Sequence, residues 1–161
     1  MRSRDRIRTL RGTIDFEARG GGTPANVGRR NLILDDGRIN IGYRVIDFRI
    51  WNSDMTGFDD AFTTQAHLAM GLDITSALPR ADDNREIAWA AYSVGTSSDI
   101  SDFRLVDPDH IIVRDLNIVL PLVGNTGPAS VNYYILMEEY DITDQEAIIS
   151  IIKEESQDVA N

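Results

Sequence analysis

Apolar and polar residues alternate with a period of two along most of this chain, which is the mark of half-buried β-strands. Leu10, Gly12, Ile14, Phe16 and Ala18 interleave with Arg11, Thr13, Asp15 and Glu17. Asn31-Leu32-Ile33-Leu34 runs into Asp35-Asp36-Gly37, a strong turn signal. From Arg38 to Trp51 one face first carries Ile39, Ile41, Tyr43 and Val45; at Val45-Ile46 the phase slips, and Ile46, Phe48 and Ile50 take over. A slip of one residue sends side chains to the other face, so a β-bulge or a change of sheet is predicted there. Phe62, Thr64, Ala66, Leu68 and Met70 form another alternating strand, and Ile87 to Val94, with Trp89 and Tyr92, is dense enough to be a central one. Asp107-Pro108-Asp109 marks a turn before the run from His110 to Leu122, and Val131 to Tyr140 is the last strand. Seven or eight strands broken by Gly- and Pro-rich turns predict an all-β, antiparallel β-sandwich, with a jelly roll of about eight strands as the expected topology.

One element departs from this period. Thr143-Asp144-Gln145-Glu146 has capping-box spacing, in which Thr143 accepts from the amide three residues on and Glu146 reaches back. Asp144 and Glu146 suit the positive end of a helix dipole. Ala147, Ile148, Ile151 and Ile152 then fall on one helical face, predicting a helix from about Asp144 to Ser156. The organisation read from the sequence is a basic arm over 1–8, a sandwich over 9–142, and an amphipathic helix with a short tail over 143–158.

Charge adds a polarity. Of fifteen arginines, eleven lie in the first fifty residues beside six acids, a net of +5. Residues 51–161 hold four arginines, Lys153 and twenty acids, a net of −15. Base composition of the genome can favour arginine over lysine. So can the preference for a planar, bidentate cation at interfaces and in ion pairs. Such a polarity can be met between copies, basic end to acidic end. It can also be met within one chain, if the first strand lies beside strand 131–140. An acidic total of −10 argues against the whole protein coating nucleic acid, and leaves phosphate contact only to the arm of Arg2, Arg4, Arg6 and Arg8. No apolar run approaches the roughly 18–20 residues of a membrane span. The charged N-terminus does not read as a secretory signal, and the absence of cysteine excludes disulfides.

Candidate chemistry is sparse. Asn52, Ser53, Asp54, Asp59 and Asp60 in one loop, and Asp82, Asp83, Asn84 and Glu86 in another, offer oxygens but lack the spacing of a calcium loop. His67, placed on the outward face of its strand, and His110, after a turn, have no partner at zinc-ligand spacing and read as structural. No nucleophile elbow, phosphate loop or dinucleotide fingerprint is present, so the reading is non-enzymatic, with no cofactor and no metal.

The order of strands, the loop-borne Asp107-Pro108-Asp109-His110, the closing strand Val131-Asn132-Tyr133-Tyr134-Ile135-Leu136-Met137-Glu138-Glu139-Tyr140 and the step Tyr140-Asp141-Ile142-Thr143-Asp144-Gln145-Glu146 into a helix resemble small single-jelly-roll virion proteins of environmental and marine viruses. The resemblance implies a capsid or capsid-associated subunit located in the virion, partnered by itself or by other virion proteins. The short arm and acidic total depart from the strongly basic termini of many coat proteins. On this reading Arg4, Arg6, Arg8, Arg11, Arg29 and Arg30 of one copy face Glu138, Glu139, Asp144, Glu154 and Glu155 of the next, with Ile148, Ile151, Ile152, Trp51 or Phe58 supplying buried area. The alternative is a β-sandwich binding module for a carbohydrate or protein ligand, its site built from Trp51, Phe58 and the loop acids. In that case the C-terminal helix packs on its own sandwich.

Overall fold

The computed structural model describes residues 1–15, 27–34, 37, 40–53, 62–71, 78–94, 100–121 and 130–156. Eight strands precede one helix: β1 (Arg2–Asp15), β2 (Val27–Ile33), β3 (Ile41–Asn52), β4 (Phe62–Met70), β5 (Glu86–Val94), β6 (Ile100–Val106), β7 (Asp115–Pro121), β8 (Ser130–Asp141) and α1 (Asp144–Ser156). They form two antiparallel sheets, β1-β8-β3 and β2-β7-β4-β5-β6. The pairs β1–β8, β2–β7 and β4–β5 are nested as in a hairpin rolled on itself, three of the four pairs of a jelly roll. One feature of the wrapping is incomplete. β6 stays on the five-stranded sheet beside β5 and does not pair with β3. It leans over β3 through Arg104 Nη1, 3.3 Å from Asp47 Oδ1.

The core lies between the sheets. β8 contributes Val131, Tyr133, Ile135 and Met137, and β3 contributes Ile41, Tyr43, Val45, Phe48 and Ile50. Leu68 of β4, Ala88 and Ala90 of β5, and Leu116, Ile118 and Leu120 of β7 close it from the other side. The phase slip read at Val45-Ile46 is a register shift between Val45 and Asp47 opposite β8, and it leaves Ile46 exposed as the extra residue.

β1 begins at Arg2, so residues 1–8, read from the sequence as an arm ahead of the sandwich, lie in the sheet. The backbone reaches β8 there through a second bulge, between Ser3 and Ile7, at which Asp5 takes a φ of 53°. Beyond it Arg8, Leu10, Gly12 and Ile14 point inward. Gly12 is required by its neighbour, because a Cβ at this position would sit 2.6 Å from the Tyr133 hydroxyl and 2.9 Å from the ring carbon that carries it. Tyr133 is buried in the core, so a Cβ at position 12 would have to displace its ring.

Replacing Gly12 by Ala removes backbone freedom from the unfolded chain, which alone would stabilise by roughly 0.4–1 kcal/mol. The overlap with Tyr133 outweighs this, since overpacking a filled core costs about 1–3 kcal/mol. Urea denaturation of Gly12→Ala is expected to show a net loss of about 1 kcal/mol or more. A variant as stable as the parent would show that Tyr133 can move aside.

Candidate assembly surface

The basic residues gather along one side of the sandwich, where β1 ends the smaller sheet and β2 ends the larger. Some of that charge is used inside the chain. Arg4 Nε lies 3.2 Å from Asp141 and its Nη1 3.9 Å from Glu139. Arg8 Nη1 donates to the Tyr43 hydroxyl at 2.8 Å, with its guanidinium over the same ring. Glu138 accepts from Ser3 Oγ and from the Tyr140 hydroxyl, which hold its carboxyl below the usual range. The first strand does lie beside the last, and part of the polarity in the sequence is met there. By contrast, Arg6, Arg11, Arg29 and Arg30 are exposed, and no carboxylate of a described residue is within ion-pair distance of them.

The helix starts as its sequence predicts. Thr143 Oγ1 accepts from the Glu146 amide, and Glu146 Oε2 accepts from the Thr143 amide at 2.8 Å. Glu146 also meets the N-terminal ammonium at 3.0 Å. These donors lower its carboxyl, the Thr143 amide first. The apolar face differs from the expected one. Ala147 is buried against Val113, Tyr140 and Ile142, and Ile151 is partly covered. Ile148 and Ile152 are exposed, and Ile149 is exposed beside them. Asp144 is also exposed. Glu154 and Glu155 fall in the last turn, and their side chains lie outside the described residues, as do Phe58, Asp54, Asp59 and Asp60. Trp51 stands on the outward face of β3, about a third exposed.

A second apolar surface has no counterpart in the sequence reading. β6 is the free edge of the larger sheet, and Ile100, Phe103 and Leu105 are each more than half exposed on it. Both faces of Ile100-Ser101-Asp102-Phe103-Arg104-Leu105-Val106 mix apolar with polar residues, so the period-2 signal that reveals other strands is missing.

His67 lies deeper than its place in the sequence suggests. It does face outward from β4, opposite Leu68, yet it is fully buried. β4 is the third of five strands, so His67 is flanked in register by Trp89 of β5 and Val119 of β7. Glu86 is buried beside it, with Oε1 3.5 Å from His67 Nε2. Its other oxygen accepts from Trp89 Nε1 and from the Arg80 amide, both at 2.7 Å. Burial pushes the His67 imidazole down to about 4 and raises the Glu86 carboxyl. The remaining acids of this loop are occupied by arginines, Asp82 by Arg80 at 2.7 Å and Asp83 by Arg85 at 2.8 Å. Among the described residues no group of three His, Asp or Glu side chains could hold a metal ion. His110 is buried too. Its Nε2 accepts from the Val45 amide at 3.1 Å, and burial lowers its basicity.

One open groove, of about 540 Å³, lies where α1 approaches the end of the sandwich; Arg44, Asn84, Asp107, His110 and Ser150 line it with Ile87. Among the described residues no helix is long and apolar enough to cross a membrane. No family model matches the chain, and neither a curated protein nor a solved structure matches it.

The buried His67 makes stability depend on pH with a definite sign. In the unfolded chain histidine takes up its proton near pH 6.5, whereas the folded protein resists until about 4. The unfolded state therefore binds more protons between these values, and stability falls as pH drops through that window. Glu86, raised by burial, works in the opposite direction, so the His67 contribution is read by difference. Between pH 7 and pH 4.5 the parent is expected to lose about 2–3 kcal/mol more than His67→Gln in urea denaturation. Parallel pH profiles for the two proteins would contradict a neutral, desolvated His67.

Proposed function

We propose that the chain is a non-enzymatic structural subunit that assembles with copies of itself, in the manner of the single-jelly-roll virion proteins its sequence resembles. The observation that carries this reading is the outward part of helix α1. Of five apolar residues in its first three turns, Ala147 and Ile151 pack against the sandwich, and Ile148, Ile149 and Ile152 stay about half exposed. Exposing a large side chain that could be buried forgoes about 1.5–3 kcal/mol, so a solvent-facing Ile148-Ile149-Ile152 row marks a contact surface. The jelly-roll strand order is in keeping with it, because shells of many viruses use this wrapping. Arg6, Arg11, Arg29 and Arg30, which have no ion-pair partner among the described residues, orient the approach of an acidic neighbour such as the Asp144 end of α1. Arg4, Arg8, Glu138 and Glu139 are engaged within the chain and take a smaller share of this contact.

A binding module is favoured by one observation, the polar groove beside Arg44 and His110, whose volume lies in the range of small-ligand sites. The anchoring of α1 on its own sandwich is compatible with that reading as well.

Light scattering after size exclusion separates the two. The parent is expected to elute as a discrete assembly at about 50 mM salt and to loosen, without dissociating fully, at about 1 M, where the Debye length is roughly 3 Å. Ile152→Glu should weaken association about tenfold or more while leaving the melting temperature of the subunit nearly unchanged. An 18 kDa monomer at both salts would end the assembly reading and turn attention to the groove.

A further inference from the structure

We propose that β6 is a two-fold contact, in which Ile100–Val106 of one copy pairs antiparallel with the same strand of a second copy about an axis through Phe103. The proposal rests on the self-assembly reading for the identity of its partner. It adds an interface separate from the helix and the basic side.

The other open edges are blunted. β1 carries arginines and a positive-φ bulge at Asp5, β2 exposes Arg29 and Arg30, and β3 is interrupted at Ile46. Charges and bulges of this kind keep edge strands from pairing with another chain. β6 has no bulge, and its two charges, Asp102 and Arg104, are of opposite sign, so they match rather than repel an antiparallel copy of the same strand. Its register to β5 runs without a shift from Ile100 to Val106, it contains no proline, lysine or glycine, and among the described residues no strand pairs with its outer edge. Seven residues present roughly 20 Å of unpaired backbone.

The sequence of the strand says what fits there. Turned about Phe103, Asp102 of one copy stands opposite Arg104 of the other, and the second such pair follows by symmetry. Phe103 meets Phe103, and Ile100 meets Val106. Directly opposed opposite charges and aromatic pairs are the favourable cross-strand combinations, and like charges are the unfavourable ones. In the single chain the Arg104 guanidinium bridges Asp102 of its own strand at 3.1 Å and Asp47 of β3 at 3.3 Å, and the pair across the axis would add to this network. An isologous contact of this kind closes on itself. It would join two five-stranded sheets into one of ten strands, a building block for larger assembly.

The test uses two charge reversals in the full chain, followed by sedimentation across concentration. Asp102→Arg places arginine opposite arginine across the axis, and Arg104→Asp places aspartate opposite aspartate. Each variant alone is expected to raise the dissociation constant of the dimer roughly 10- to 100-fold. Mixed in equal amounts they should associate again, as a heterodimer with both charge pairs restored, which a merely structural role for either residue would not produce. Should either variant unfold, exchange of the β6 amides in the parent supplies the readout, with protection that grows as protein concentration rises. A parent that assembles and is indifferent to both reversals would sink the β6 contact alone. A parent that is monomeric at every concentration and salt would sink the self-assembly reading with it. Protection of β6 that requires an extended peptide of foreign sequence would assign the edge to another chain and overturn the proposal.

Discussion

The pairing of β8 with both β1 and β3 is the constraint from which the rest of the molecule follows. β8 sits in the middle of the smaller sheet and sends Val131, Tyr133, Ile135 and Met137 into the core. A shift of one residue would turn that whole set toward solvent, so the register is strongly specified. The two flanking strands accept it by bulging, β3 at Ile46 and β1 near Asp5. Once β8 is fixed, the basic start of the chain lies beside its acidic end, Gly12 must make way for Tyr133, and α1 emerges where Ala147 can reach Tyr140 and Ile142.

The unequal division into three and five strands has a cost and a consequence. A β6 that paired with β3 would have its edge satisfied within the sandwich. Left on β5, it reaches β3 only through side chains, Arg104 to Asp47. Among the described residues its outer edge is then without a paired strand, and Ile100, Phe103 and Leu105 are more than half exposed. Naturally occurring edges of this length are normally covered or charged. That both β6 and the isoleucine row of α1 stay exposed among the described residues is what the proposed self-assembly would account for.

Much of the fold was legible where one physical signal dominated. The slip at Val45-Ile46 was visible because strong alternation surrounds it on both sides, and the helix start because a capping box is a local device. Signals that depend on what lies across the fold were not legible. β6 escaped because both its faces mix polar and apolar residues. His67 was assigned to the right face of β4, yet its burial depends on strands and a loop distant in sequence, Glu86 and Trp89 among them. The helix face was assigned from periodicity alone, which counts apolar residues but cannot say which of them meet a neighbour in the same chain. The antiparallel sandwich is there as expected, and of the nested jelly-roll pairs β1–β8, β2–β7 and β4–β5 form while β3–β6 does not.

The charge polarity that stands out in the sequence is a weaker force than its arithmetic suggests. Arg4 and Arg8 are already engaged within the chain, Glu138 and Glu139 likewise, and exposed ion pairs contribute only about 0.2–1 kcal/mol each. Four arginines facing acids on a neighbour would together supply on the order of 1–3 kcal/mol, and salt would screen much of it. One isoleucine taken fully out of water supplies about as much. Electrostatics can therefore choose the orientation and the speed of encounter. On the assembly proposed above, cohesion would come from Ile148, Ile149 and Ile152 on the helix and from the edge of β6, the surfaces that would keep subunits together once they have met.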